Sequence, residues 1–90
     1  ELDGIVSQLR ITKGVEVAIF LYEQEPNVYK VSLRSKEKVD VSRVAVYFGG
    51  GGHVKAAGCT MPGTVHDVIN NLAGQIALQL EPEETKTEEA

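Results

Sequence analysis

Four consecutive glycines, Gly49 to Gly52, run directly into His53, and Lys55 follows two residues later. Without a Cβ, glycine lets backbone N–H groups approach an anion closely, and an imidazole and an ammonium add further donors. Each glycine also costs conformational entropy on folding, so a run of four between two well-patterned segments needs a reason. A flexible linker or a purely structural turn would be the plainer reasons. Residues 30–55 favour the anion-binding one, because Lys30, Arg34, Lys36, Lys38, Arg43 and Lys55 stand there against Glu37 and Asp40 only. A solvated lysine-rich turn has the same composition, and charge alone does not separate the two.

Other chemistries find less support. One cysteine and two histidines, His53 and His66, with no paired acidic motif between them, make no convincing metal shell. Cys59 lies among small apolar residues, as a core residue does rather than a nucleophilic thiolate. His66 and Asp67 fall in the expected first turn of a helix and read as exposed helix-start residues. No serine or cysteine has a base beside it, and the phosphate-loop string G-x-x-x-x-G-K-[ST] is absent. The chain is therefore expected to bind but not, by itself, to cut.

The elements that would position these residues can be read from periodicity. Leu2, Ile5, Val6 and Leu9 have helical spacing, with Gly14 as a stop. Val15 to Glu23 is apolar almost throughout and predicts a strand buried on both faces. Gln24-Glu25-Pro26-Asn27 makes a turn into a second strand, Val28 to Ser35, forming a hairpin. Alternation then places Lys30, Ser32 and Arg34 on one face, opposite Tyr29, Val31, Leu33 and Ser35. Asp40 caps a helix carrying Val41, Val44, Ala45 and Phe48, which Gly49 ends. Val54 to Met61 reads as a closely packed strand. Thr64 and Asp67 cap a last helix with Val65, Val68, Ile69, Leu72, Ile76 and Leu80 in register. Gly74 inside it is expected to mark a close contact, since glycine costs about 1 kcal/mol there.

Ninety residues allow a single domain with one modest core. The expected fold is a small α+β domain, helices packed on a mixed or antiparallel sheet, over residues 1–80. Residues 81–90 hold five acidic residues and one lysine and read as a disordered acidic tail, while the first eighty balance at eight charges of each sign. No apolar run is long enough to span a membrane, the lone cysteine suits a reducing cytoplasm, and the chain opens at Glu1 as a fragment would.

The string Gly49-Gly50-Gly51-Gly52-His53, followed by Ala56-Ala57-Gly58, resembles the signature of the DHH-associated domain of DHH phosphoesterases. Val31-Ser32-Leu33-Arg34-Ser35, Val39-Asp40-Val41-Ser42 and the entry strand Gly14-Val15-Glu16-Val17-Ala18 extend that resemblance over most of residues 2–80. Within the family the chain is most similar to bifunctional oligoribonucleases that also dephosphorylate 3′-phosphoadenosine 5′-phosphate. The resemblance implies a manganese-dependent hydrolase whose metal sits in a separate N-terminal DHH catalytic domain. This chain has no Asp-His-His string, so no metal ligand and no catalytic residue carries over. The substrate grip does carry over: Gly50, Gly51, Gly52 and His53 toward phosphate, and Arg34, with Ser32 beside it, toward the substrate. Expected ligands are short single-stranded RNA or small nucleotides. A cyclic-dinucleotide phosphodiesterase, a single-strand-specific exonuclease and a free-standing nucleotide-binding module are the alternatives.

Overall fold

The computed structural model describes residues 5–11, 17–80 and 87–89. The elements are β1 (Ile5–Ile11), β2 (Val17–Glu25), β3 (Val28–Ser35), α1 (Val41–Tyr47), β4 (Gly51–His53), β5 (Ala56–Pro62), α2 (Val65–Ala77) and β6 (Thr87–Glu89). Among the described residues the strands form one sheet in the order β4-β5-β3-β2-β1-β6, with every neighbouring pair antiparallel. The expected α+β class holds, and the sheet is antiparallel rather than mixed.

One face of the sheet carries the core. Leu9, Val17, Ile19, Leu21, Tyr29, Val31, Leu33, Ala57, Cys59 and Met61 alternate along their strands and are buried. Val41, Val44 and Ala45 of α1 and Val68, Leu72 and Ile76 of α2 close over them. Burying a side chain of this size stabilises by roughly 1.5–3 kcal/mol, so this single layer of contacts supplies most of the folding drive. The buried thiol of Cys59 is pushed up to about 11 by loss of solvent, as suits a core residue.

Both helix starts follow from local chemistry. The Asp40 carboxylate accepts from the N–H groups of Ser42 (3.0 Å) and Arg43 (3.3 Å). Its pKa is lowered, chiefly by the Ser42 hydroxyl, which also donates to it. Gln79 clamps the same end of α1: its Oε1 accepts from Asp40 N–H (3.0 Å) and its Nε2 donates to Asp40 O (3.1 Å). Thr64 and Asp67 form a reciprocal capping box at α2.

Three expectations are corrected. The helix expected at Leu2–Leu9 is instead β1 over its described part: Ile5, Val6 and Ile11 are β-branched, and β2 pairs with Ile5 and with the run from Ser7 to Ile11. Gly14 and the first two residues of the expected second element lie outside the described residues. The β2 strand is covered on one face only, because both helices lie on the same side and Ala18, Phe20 and Tyr22 remain half-buried on the other. Gly74 marks no close contact: it is exposed, and a Cβ there would meet nothing within 4 Å. Of residues 81–90, Thr87–Glu89 pair with β1, and the others lie outside the described residues.

Candidate functional site

The uncovered face of the sheet gathers the candidate residues. Register sets them in rows across the strands. Arg10, Ala18, Arg34, Ala56 and His53 stand in one row, from β1 to β4. Gln8, Phe20, Ser32, Gly58 and Gly51 stand in the next. Tyr22, Lys30 and Thr60 form a third. Strands lie about 4.8 Å apart, so the Arg34 and His53 backbones are about 10 Å apart with only the Ala56 methyl between them. A guanidinium and an imidazole flanking a low point can close on one small anion from both sides.

Small residues make the low point a trough. Its volume is about 680 Å³, within the range of small-molecule sites. Gly51, Gly52, Ala56 and Arg34 line one end, and Tyr22, Gln24 and Lys30 the other. A second basic hollow of about 330 Å³ adjoins it across Arg34, lined also by Arg10 and Lys36.

The glycine run is not a single loop, and its members have different reasons to be glycine. Gly49, at φ +89°, ends α1: its N–H donates to Val46 O (2.9 Å), and the Gly50 N–H donates to Ala45 O (2.8 Å). This is a Schellman termination. A Cβ on Gly50 would lie 2.1 Å from Gly58 O and 2.7 Å from Cys59 Cα. On Gly52, at φ +146°, it would lie 2.5 Å from Ala57 Cα. Gly51 has neither a left-handed φ nor any atom within 4 Å of an added Cβ. Its missing side chain leaves open space at the trough floor.

His53 ends β4, and Val54 and Lys55 make the turn into β5. Two backbone bonds hold that turn, from Val41 N–H to Val54 O (2.9 Å) and from Ser35 N–H to Lys55 O (3.0 Å). The histidine is thus exposed on an anchored hairpin. Arg34 is held as well: its Nη1 donates to Ser32 Oγ and to Leu33 O, each at 3.1 Å. Ser32 therefore touches the guanidinium, which makes it an orienting partner of Arg34.

The structure brings Arg34, Ser32, Gly51 and His53 to one face; Gly52, opposite the core residue Ala57, alternates away from that face though it borders the trough, and Gly50 packs against β5. His66 is exposed on α2. Among the described residues no three His, Cys, Asp or Glu side chains cluster as a metal-ligand set. Nothing in that part of the chain fits the manganese implied by the resemblance. No described helix is long and apolar enough to cross a membrane. Tyr22, Arg10 and Gly58 were not singled out from sequence, because only strand register reveals their rows.

The fold is an antiparallel sheet with helices on one face and, on the other, a glycine-floored trough lined by Arg34 and Lys30. The DHHA1 domain model matches residues 1–80, and the chain belongs to that family. It is also 44% identical over 61 residues to the bifunctional oligoribonuclease and PAP phosphatase NrnA of Thermus thermophilus. The match covers 68% of this chain and 18% of that protein, so the chain spans under a fifth of the relative's length.

Proposed function

We propose that this chain is the substrate-gripping domain of a phosphoesterase that hydrolyses short oligoribonucleotides, 3′-phosphoadenosine 5′-phosphate, or both. The observation that carries the reading is the row Arg34–Ala56–His53, in which Arg34 and Ala56 line the trough floored by Gly51 and His53 stands beside Ala56 on the edge strand. In this reading Arg34 takes substrate phosphate by charge-assisted hydrogen bonds, with Ser32 fixing its orientation. His53 and the Gly51 and Gly52 amides approach the same phosphate from β4. The bond-breaking chemistry, and the manganese that would serve it, belong to a separate DHH domain, and no step of it is assigned to residues of this chain. The kinship with NrnA supports the nucleotide nature of the ligand; the sheet geometry supports the grip.

The test measures mononucleotide binding to the chain by NMR titration and hydrolysis of short RNA by the complete protein. Charge-assisted hydrogen bonds are worth about 1.5–3 kcal/mol. Arg34→Ala is expected to weaken phosphate-dependent binding and to lower kcat/KM by about 10- to 150-fold, with His53→Ala acting in the same direction. Unchanged values in both variants would reject the grip.

A further inference from the structure

The row that holds Arg34 and His53 does not end at Arg10. The β6 strand lies along the outer edge of β1 and completes the sheet on that side. Its register sets Glu88 opposite Arg10, with Thr87 opposite Ile11 and Glu89 opposite Leu9. Across the strands the row is therefore Glu88, Arg10, Ala18, Arg34, Ala56 and His53. An acidic residue holds the last register position of a row whose other titratable members are Arg10, Arg34 and His53. Arg10 and Arg34 both line the basic hollow beside the trough. Two strand spacings, about 10 Å, separate their backbones.

The pairing of β6 is easily undone. Its three residues meet a β1 strand of seven, and β6 is hydrogen-bonded to the sheet from one side only. Short segments near a chain end open at little free-energy cost, while the central strands stay closed. Thr87–Glu89 also lie beyond residues 1–80, the stretch that the DHHA1 model matches, so β6 is an addition to the family's domain. Opposite charges at facing positions of an antiparallel pair attract, and the same position attracts any other anion that can reach it.

From this juxtaposition we infer that β6 is a detachable anionic strap, which occupies the Arg10 end of the cationic row and competes there with ligand phosphate. The inference rests on the phosphate grip at Arg34 proposed above. A ligand with a single phosphate at Arg34 leaves the strap in place. A ligand whose charge extends from Arg34 to Arg10 displaces β6 and gives up part of its affinity in doing so. The strap thus grades anionic ligands by the reach of their charge.

The experiment titrates the full chain with ribose 5-phosphate and with tripolyphosphate at low, fixed ionic strength, following backbone amides by NMR. Both ligands are expected to shift Arg34, and only tripolyphosphate to shift Arg10 and Thr87–Glu89. Glu88→Gln is expected to tighten tripolyphosphate binding by about 1.4- to 5-fold, the range corresponding to one facing pair of opposite charges at about 0.2–1 kcal/mol. Glu89→Gln removes the same charge from the position opposite Leu9, a core residue, and is expected to leave the affinity level. In an Arg10→Gln background the gain from Glu88→Gln should vanish. Unmoved Thr87–Glu89 amides, equal gains from the two glutamines, or a gain that survives Arg10→Gln would overturn the strap. In that case tripolyphosphate binding that Arg34→Ala weakens would still uphold the grip. Failure of both ligands to bind would overturn grip and strap together.

Discussion

Alanine substitutions along the glycine run should separate packing from ligand room. At Gly52 an added methyl carbon would lie 2.5 Å from Ala57 Cα and 2.7 Å from both Ala56 O and Ala57 Cβ. Two of these neighbours are backbone and cannot swing away. Overpacking of this kind costs about 1–3 kcal/mol, and a non-glycine residue at φ +146° adds about 1–3 more. Gly52→Ala should therefore destabilise by roughly 2–6 kcal/mol. For a 90-residue domain that is a large share of a total of roughly 5–13 kcal/mol. Gly50→Ala, 2.1 Å from Gly58 O, should be comparably damaging without the dihedral contribution. Gly51→Ala meets no atom and no disfavoured φ, so its stability should stay level or rise by about 0.4–1 kcal/mol. The same methyl would occupy the trough floor and weaken phosphate binding. Urea unfolding followed by circular dichroism gives the stabilities, and NMR titration with ribose 5-phosphate the binding. A Gly51→Ala variant as unstable as Gly52→Ala, or one that binds as the parent does, would refute this division of roles.

Two further outcomes follow from the fold. Burial holds the Cys59 thiol near pKa 11 against an ordinary 9.0, so the unfolded chain releases its proton first as pH rises. Stability should be unaffected below about pH 9 and fall between there and about pH 11, a decline that Cys59→Ala should remove when urea midpoints are compared across pH. Gly74 is exposed on α2 with open space at its Cβ position, so Gly74→Ala should stabilise by about 1 kcal/mol, read as a higher urea midpoint.

Part of this fold is legible in the sequence itself. The β3 strand was readable to the residue because Tyr29, Val31 and Leu33 alternate with Lys30, Ser32 and Arg34, and burial follows that alternation. Asp40 and the Thr64–Asp67 pair announced their helices because capping is local chemistry. What failed depended on distant partners. Leu2, Ile5, Val6 and Leu9 satisfy helical spacing, yet their described stretch is a strand because β2 lies alongside to pair with it. An apolar β2 could not disclose that both helices would settle on one side and leave Phe20 and Tyr22 on the uncovered face. Arg34 and His53 were each picked from sequence, but their shared row needs the turn at Val54-Lys55 and the β3–β5 pairing together.

The β4 strand is also the border of the sheet. A free border offers unpaired amides and carbonyls to any passing strand, and tethering within a longer polypeptide would make such encounters frequent. Here the border is three residues long, begins where a helix has just unwound at Gly49, and turns back at Val54. An incoming strand finds too short a run of backbone to zip onto. The glycines that open the trough therefore also discourage self-association, and variants that lengthen β4 should be judged for clumping as well as for lost binding.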